Sequence, residues 1–269
     1  LILIALGLIC LLPFLNVIAL SFSDKIAAAS GQVTFWPVNF TTDAYRYVLD
    51  QGAFWRSFLI SLERVALGGG LGIFLTVLSA YPLSKSSAVF KMRTVYVWYF
   101  FITMLFSGGL IPGYVVITGL GLKNTIWALV LPGAVSAYNI LLMLNFYRQL
   151  PSELEEAAFI DGAGHFRTWF HIYLPCSIPS IATIALFTIV GQWNAWFDGL
   201  IYMTKTELYP LQSYLQTIVT RLDFQNMTAE ELKRLSALNQ RSLISAQMVI
   251  AMVPILILYP FLQKYFVTG

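Results

Sequence analysis

Polar and aromatic side chains alternate near the end of one long apolar run of this chain. Gln192, Asn194 and Asp198 supply hydrogen-bonding groups there. Trp193 and Trp196 supply flat, largely apolar rings between them. Aromatic faces stack on the C–H faces of a sugar, while amides and carboxylates bond its hydroxyl groups. These residues are therefore candidates for a path along which a saccharide moves; the alternatives are interhelical hydrogen bonds and, for the two Trp, an aromatic belt at the membrane interface.

Polar groups inside other apolar runs have a less specific meaning. Asn139, Asn145 and Gln247 are weaker candidates for the same path. For each candidate, the alternative is an ordinary hydrogen bond between neighbouring helices. Glu63 and Arg64 lie near one end of another run, where an interhelical ion pair or snorkelling is a better interpretation than a proton relay.

Several kinds of chemistry find no support in the residues. The chain lacks the G-x-x-x-x-G-K-[ST] pattern of a nucleotide-binding loop, and no Lys follows Gly68–Gly72. His165 and His171 share one polar segment without a metal-ligand pattern or a catalytic triad around them. Cys10 and Cys176 are far apart in apolar runs, so we expect two buried small hydrophobes. Catalytic residues and metal sites are therefore not predicted.

The composition is that of a polytopic membrane protein. Of the 269 residues, 58% are hydrophobic and only 11% are charged, and the mean hydropathy is +0.73. A helix needs about 20 apolar residues to cross the bilayer, and unbroken runs of this length favour helices over barrel strands. We predict an all-α fold with six transmembrane helices, at 1–20, 57–83, 94–117, 125–147, 176–203 and 242–266. Because the chain begins inside an apolar run without Met, we also expect an N-terminal piece to precede Leu1.

Glycine and proline mark irregular points within these spans. Phe106–Gly113 contains three glycines and a proline, so the third helix should end or unwind there, with a re-entrant or surface turn continuing to Lys123. Gly68–Gly72 predicts a smooth patch for close helix approach. The connections 21–56 and 204–241 are long, and the first should contain a short amphipathic helix near Tyr45–Leu49.

The polar segment 151–175 between two spans has the residues of two short helices joined by an elbow. Ser152 and Glu155 have the spacing of a capping box at the start of the first helix. Gly162 can take the left-handed conformation that ends it. A second helix from His165 to Tyr173 should end at Pro175. By spacing alone, an ordinary interfacial hairpin remains an equal alternative.

The same segment resembles the cytoplasmic coupling loop of ABC importer permeases. The resemblance rests on Glu156-Ala157-Ala158, on Asp161-Gly162-Ala163, and on Ile172-x-Leu174-Pro175. It implies that the loop docks into a cleft of an ATPase subunit. In that docking, the two alanines would allow close packing, Glu156 would bond to the ATPase surface and Gly162 would make the turn. The implied coupling residues are Glu156, Ala157, Ala158, Asp161, Gly162, Ala163, Ile172, Leu174 and Pro175.

The resemblance extends to the carbohydrate-uptake branch of the family and covers nearly the whole chain. It is carried by five segments, at 31–37, 80–84, 106–112, 193–196 and 263–267. Within that branch the chain is most similar to permeases of oligosaccharide and uronate importers, such as alginate importers. One departure is Leu144, where that group often has Arg. Arg148 lies one helical turn later on the same face, so a cation is still expected there.

The resemblance implies an inner-membrane subunit with residues 1–269 as a single permease domain. Its expected partners are a second homologous permease, two ATPase subunits that hold ATP and Mg, a solute-binding protein, the lipid bilayer and a sugar; nucleic acid is not expected. This chain itself would carry no cofactor. By analogy with related sugar importers, the loop 204–241 would enter the binding protein; the alternative is a solvated cap over the bundle.

Orientation and mechanism depend on the polar segment. Cytoplasmic loops of membrane proteins usually carry an excess of Lys and Arg, but the counts on the two sides of this chain do not orient it. Only the compact, cationic loop 84–93 indicates a cytoplasmic position. Placing 151–175 there makes the C-terminus cytoplasmic and the loops 21–56 and 204–241 periplasmic. The alternative function is an ion-coupled secondary transporter, which predicts inverted repeats and interrupted helices. One interrupted span is predicted here, without a convincing repeat.

Overall fold

The structure, a computed structural model, describes residues 2–220 and 239–267. Over these residues it is almost entirely helical, and the β-structure within them is the isolated bridge between Ser23 and Phe40. The predicted all-α fold is therefore confirmed. Much of the predicted loop 204–241, including Asp223–Glu231, lies outside the described residues.

The helices follow one another with few long connections. In chain order they are α1 (Ile2–Ser21), α2 (Lys25–Ser30), α3 (Asp43–Asp50), α4 (Gly52–Arg64), α5 (Gly70–Ser84), α6 (Arg93–Leu105), α7 (Leu110–Gly119), α8 (Trp127–Val130), α9 (Ala137–Gln149), α10 (Ser152–Ile160), α11 (His165–Thr168), α12 (Leu174–Cys176), α13 (Ile178–Asn194), α14 (Phe197–Tyr202), α15 (Leu211–Thr220) and α16 (Gln240–Val267). Two π-helical turns, Val65–Gly69 and Trp169–Tyr173, join α4 to α5 and α11 to α12. Short 3₁₀ turns lie at Leu131–Gly133 and Thr206–Leu208.

Six apolar segments can cross a membrane. Among the described residues, three do so as single helices: Ile2–Ser21, Gly52–Ser84 and Gln240–Phe261. Three more are helix pairs bent at a short break, by 115° between α6 and α7, by 47° between Trp127–Gly133 and α9, and by 80° between His165–Cys176 and α13. With each bent pair counted as one span, the number agrees with the six predicted.

The break in the third span occurs at the predicted glycines. α6 ends at Leu105, and Gly109 has a φ of 83° before α7 begins at Leu110. Beyond the break the chain runs as α7 to Gly119, bent sharply from α6, which agrees with a broken or re-entrant segment, although most of it is helix and not an irregular turn. Pro112 falls in the first turn of α7, where a missing N–H leaves no helical bond unmade.

The fifth predicted span is interrupted, whereas the sequence indicated one continuous helix. α13 ends at Asn194, Ala195 is extended, and α14 begins at Phe197. A helix end leaves carbonyl groups without intrahelical partners. Here the Arg64 guanidinium donates to the Ala195 carbonyl at 3.3 Å, which stabilises the break.

Residues 1–60 and 205–258 form one compact unit. After α1 the chain turns back on itself: Phe22 stacks on Phe40 and Tyr45, with centroids 5.3 and 4.7 Å apart. Ser23 donates to the Ala19 carbonyl at 2.7 Å and accepts from the N–H of Val38. The predicted short helix at Tyr45–Leu49 is confirmed as part of α3.

Residues 61–204 and 259–269 form the second unit, and the residues that follow belong to it. α5 and α9 pack side by side at its centre. The π turn Trp169–Tyr173 and α13 complete the apolar core around them. That core consists of Val77, Ala80, Tyr81, Leu83, Ile140, Met143, Leu144, Tyr147, Trp169, Tyr173 and Ile184.

Glycines at the start of this unit allow close approach, as predicted. A Cβ added to Gly68 would lie 2.9 Å from Cδ of Gln192. One added to Gly72 would lie 3.2 Å from the Ala134 carbonyl oxygen and from Cγ2 of Thr188. α13 and the segment before α9 can therefore approach α5 and the π turn before it closely only because Gly68 and Gly72 have no side chain.

Two expectations about single residues are wrong. Cys10 and Cys176 are exposed, because the apolar surface of a membrane helix does not need protein around it. Arg148 does not take the place of an Arg at position 144: Leu144 is buried in the core, while Arg148 is exposed. Four residues are slightly more than one α-helical turn of 3.6 residues, and α9 ends one residue after Arg148.

Candidate functional site: a coupling segment and a polar cavity

The segment 151–175 has the predicted elbow. α10 ends at Ile160, and Gly162 has a φ of 77°, the left-handed conformation that favours glycine. The N–H of Gly162 donates to the Phe159 carbonyl at 3.0 Å, and that of Ala163 to the Ala158 carbonyl at 2.9 Å. These bonds are the usual closure of a helix C-terminus, and they fix the direction in which the chain leaves α10.

The capping box predicted for α10 is wrong. The helix already includes Ser152, its cap residue is Pro151, and no side chain caps it. The Glu155 carboxylate points to another part of the protein instead. Its Oε1 lies 2.7 Å from Nζ of Lys85, and its Oε2 accepts from the Tyr173 hydroxyl at 2.9 Å. An ion pair with a distant lysine has displaced the local cap.

Lys85 follows directly on α5 and lies between two aromatic rings. Its Nζ is 4.0 Å from the ring centres of both Tyr81 and Tyr173, and it donates to the Tyr173 hydroxyl at 2.8 Å. The Lys85 side chain is 8% exposed and that of Glu155 17%. Burial lowers the pKa of Lys85, and the adjacent Glu155 opposes that shift. We call Lys85, Glu155, Tyr81 and Tyr173 the lysine tie.

The sequence interpretation missed the lysine tie, although one local signal was present. Tyr81 precedes Lys85 by four residues, a spacing that places an aromatic ring and a cation on one side of a helix. The partner Glu155 is 70 positions away in sequence and has no such signal.

One face of the coupling segment is fixed to the protein and the other is open. Ala158 is 8% exposed and Trp169 is 6% exposed, whereas Ile160 is 85% exposed and Phe166 is 72% exposed. Among the residues implied to couple, Ala163, Ile172 and Leu174 are half-buried, and the exposed ones are Glu156, Ala157, Asp161, Gly162 and Pro175. The segment thus presents apolar and acidic groups on an elbow whose other side is packed.

The second half of the segment differs from the prediction in its shape. Trp169–Tyr173 is a π-helical turn, and the helix continues past Pro175 to Cys176. The N–H of Leu174 bonds to the carbonyl of Trp169, five residues back. This wider turn lies directly before Pro175, whose ring would clash with a carbonyl four residues back in a regular α-helix.

A cavity of about 400 Å³ lies within residues 61–204. Glycine and alanine leave room in it, and polar groups project into it. Its lining comprises Arg64, Gly72, Thr76, Gly133, Ala134, Ser136, Asn139, Phe187, Thr188, Gly191, Gln192 and Ala195. The mixture of amides, hydroxyls, one cation and one aromatic ring suits a polar ligand that also has apolar faces.

Arg64 is the best-connected residue of the cavity. Its Nε donates to Oε1 of Gln192 at 2.9 Å, and one Nη donates to the Ala195 carbonyl and, at 3.0 Å, to Oδ1 of Asp198. The other Nη bonds to the second oxygen of Asp198. The arrangement is bidentate and confirms the ion pair predicted for Arg64, while Glu63 is exposed.

The structure separates the residues predicted for the saccharide path. Asn139 and Gln192 line the cavity, and the Asn139 amide donates to the Thr188 hydroxyl at 3.2 Å. The cavity lining within the described residues does not include the remaining four: Trp193 is buried, Asp198 pairs with Arg64, and Asn194 and Trp196 are exposed.

Two weaker path candidates lie elsewhere. Asn145 is exposed, and Gln247 is buried in the unit of residues 1–60 and 205–258. Among the described residues, the structure brings together no cluster of three or more His, Cys, Asp or Glu side chains that could hold a metal ion.

A bundle of interrupted apolar helices around a polar cavity, with a packed elbow at one connection, defines a membrane transport subunit. The chain belongs to the family described as the binding-protein-dependent transport system inner membrane component, which matches residues 68–269. It is thus a multi-pass inner-membrane permease of an ABC importer, and it works with another permease, an ATPase and a binding protein.

Similar proteins agree with this assignment. The chain is 37% identical over 263 residues to the polygalacturonan/rhamnogalacturonan transport system permease protein YtcP of Bacillus subtilis, covering 98% of this chain and 91% of that protein. It is 40% identical to the protein LplC of the same organism, covering 98% and 88%. The crystal structure of a bacterial ABC transporter involved in the import of the acidic polysaccharide alginate contains a chain with a TM-score of 0.90 and 30% identity, covering 98% of this chain and 94% of that one.

The family resemblance and the carbohydrate branch predicted from the sequence are confirmed. The permease is a non-catalytic subunit whose ATPase is on separate chains. ATP-driven import is therefore supported, and the ion-coupled secondary transporter is not.

Proposed function

We propose that this chain is one of two homologous permeases that, with two ATPase subunits, import a uronate-containing oligosaccharide delivered by a solute-binding protein. The substrate class follows from the relatives, whose names give polygalacturonan or rhamnogalacturonan in one and alginate in another. All of these are acidic polysaccharides. ATP and Mg bind to the ATPase subunits, and this chain holds no cofactor.

The observation that carries the energy-coupling role is the two-sided coupling segment. Its buried side, with Ala158 and Tyr173, is fixed to the core, and its exposed side offers Glu156, Ala157 and Ile160 on α10. An ATPase cleft that closes on this exposed side would move the fixed side with it as a rigid body. In the proposed arrangement, 151–175 and the C-terminus lie in the cytoplasm, and 21–56 and 204–241 lie on the periplasmic side.

The cavity is the proposed part of the saccharide path. Asn139 and Gln192 offer amides to hydroxyl groups, and Phe187 offers a ring to a sugar face. The positive charge of Arg64 is compensated by Asp198 within the chain. We therefore assign the choice of an acidic cargo to the binding protein, and the accommodation of successive sugar units to the permease. Trp193, Asn194 and Trp196 are proposed to act along the same path beyond the cavity.

Reconstitution tests this function. The chain is placed in liposomes with its permease and ATPase partners, the binding protein is added, and uptake of labelled trigalacturonate is followed. We expect uptake with ATP and none with an ion gradient alone; maltotriose serves as the neutral control. Uptake on an ion gradient without ATP would refute the mechanism, and uptake of maltotriose with no uptake of trigalacturonate would refute the substrate class.

The coupling face has its own test in the same liposomes. Ala157→Leu adds bulk to the exposed side of α10, and Ala29→Leu adds the same bulk at an exposed position of α2, in the segment 21–56 that is proposed to be periplasmic. We expect Ala157→Leu to weaken binding of the ATPase subunits, measured by co-purification, more than Ala29→Leu does. Equal co-purification of both variants would contradict the assigned docking face.

A further inference from the structure

An ion pair lies at each end of one stretch of helix. Arg64 pairs with Asp198 beside the cavity, and Lys85 pairs with Glu155 of α10. The stretch between them, from Arg64 through a π turn and α5 to Ser84, is uninterrupted. Twenty residues of helix are about 30 Å long. A single rigid element therefore joins the neighbourhood of the cavity to the coupling segment.

α10 has few other attachments to the core. Ala158 is its one buried residue, and its first turn is exposed at Ser152 and Glu153. Glu155 is half-buried because it enters the aromatic pocket around Lys85. The lysine tie is thus the polar contact that attaches α10 to the C-terminal end of α5.

The contacts of the lysine tie restrict movement of α10 relative to the end of α5. Lys85 continues directly from α5, and its N–H bonds to the Pro82 carbonyl at 3.3 Å. Its ammonium group touches both tyrosine rings and Glu155 at the same time. Separation of Glu155 from Lys85 would leave a buried ammonium group and a half-buried carboxylate without partners, which is costly. α10 and the end of α5 should consequently move together.

We propose that Lys85 and Glu155 are positioning residues for energy coupling. Through Tyr81 and Tyr173 they lock α10 to the end of α5, so that a displacement of the coupling segment reaches the cavity at Arg64 as movement of one helix. This inference rests on the proposed function, because it requires an ATPase acting on the coupling segment.

The test uses the assembled transporter in nanodiscs, with one reporter cysteine in the cavity. Gly191→Cys is suitable because no heavy atom lies within 4 Å of the Cβ that it adds, and Cys10 and Cys176 are replaced by Ser. The rate of thiol labelling is measured with and without ATP, and ATP hydrolysis is measured in the same samples. The quantity compared is the change in labelling per ATP hydrolysed.

We expect Lys85→Met and Glu155→Gln each to lower that ratio about fivefold or more, the usual lower range of coupling between sites. The charge-swapped pair K85E/E155K should recover part of it, since the ion pair is restored with its direction reversed. Lys91→Met is the matched control for Lys85→Met. It removes one positive charge from the same loop, 84–93, but at an exposed position, and should leave the ratio unchanged.

Lys85→Arg keeps the positive charge, so it can be tested even if Lys85→Met and Glu155→Gln do not assemble with the partner subunits. A guanidinium is too broad to sit equally against both rings and Glu155, so a ratio lowered by about twofold or more is expected. An unchanged ratio in every assembled Lys85 and Glu155 variant would overturn the inference while the proposed function stands. No ATP-dependent labelling change in the Gly191→Cys parent would refute the proposed function itself, and the inference with it.

Discussion

The two buried ion pairs of residues 61–204 are built from different cations, and each cation suits its place. Arg64 offers a planar fork, which bonds both oxygens of Asp198 and also Gln192. Lys85 offers a compact charge, which two tyrosine rings and Glu155 surround. A guanidinium fixes orientation, whereas an ammonium group can rotate without losing its contacts. The comparison indicates two kinds of fixed junction: one beside the cavity that is held by directed hydrogen bonds, and one at the coupling segment that is held by enclosure of a compact charge between two rings.

The largest effect is expected from Arg64→Met. The change leaves the Asp198 carboxylate without its partner and removes the donors to Gln192 and the Ala195 carbonyl. Removal of one member of a buried pair costs 3–5 kcal/mol in general. Because the Asp198 side chain is 27% exposed, we expect about 3 kcal/mol. Thermal unfolding of the purified transporter measures it.

Two companion variants decide whether the fork or the charge matters at this junction. Arg64→Lys keeps the charge but loses the bidentate geometry, and we expect it to recover less than half of the loss. The double variant R64M/D198N removes both charges and should be more stable than Arg64→Met alone. Equal stability of Arg64→Lys and the wild type would contradict the idea of a junction held by directed hydrogen bonds.

A smaller effect at the same junction is expected from Gly68→Ala. The added Cβ would lie 2.9 Å from Cδ of Gln192, whose amide is already held by Arg64 and cannot move away freely. Gly70→Ala is the control, since nothing lies within 4 Å of its added Cβ. The control should gain helix propensity, whereas Gly68→Ala should lose packing. We expect their free energies of unfolding to differ by about 2 kcal/mol. Equal stabilities would mean that Gln192 is not fixed.

At the coupling segment, Gly162→Val should affect transport more than stability. A β-branched residue at a φ of 77° is strained by about 1 kcal/mol or more, so the elbow would open. We expect normal membrane insertion, continued ATP hydrolysis and reduced ATP-driven uptake of trigalacturonate. Gly164→Ala is the matched control, because Gly164 has a φ of −82° and open space around it. Normal uptake by Gly162→Val would contradict the role of the elbow.

Local features of this fold were predictable from the sequence. The six apolar spans, the break at Gly109 and the elbow at Gly162 follow from hydropathy and from the conformational freedom of glycine. Each depends on a few adjacent residues, so a short window of sequence contains the cause. The smooth patch at Gly68 was predictable for the same reason, although the residue that fills it was not.

Features that depend on distant partners were not predictable. The break after Asn194 is stabilised by Arg64, 131 positions before the carbonyl that it bonds. Glu155 fits a capping box by local spacing, but Lys85 provides a stronger, charged partner. In both cases a long-range ion pair overrides a local preference. The cavity was predictable only in part for the same reason. Asn139 and Gln192 were candidates from their sequence positions, whereas Arg64 enters the cavity from another helix.

A third ion pair, on the surface, should show the smallest effect and sharpens the comparison. Arg56 and Glu207 lie 3.5 Å apart in the unit of residues 1–60 and 205–258, with side chains 57% and 66% exposed. Water and salt screen exposed charges, and ordering two long side chains costs entropy. We therefore expect no measurable change in unfolding temperature for Glu207→Gln, at low or high salt, whereas Glu155→Gln should lower it in both. A loss for Glu207→Gln as large as that for Glu155→Gln would show that pairing alone, without burial, accounts for the effect of the lysine tie.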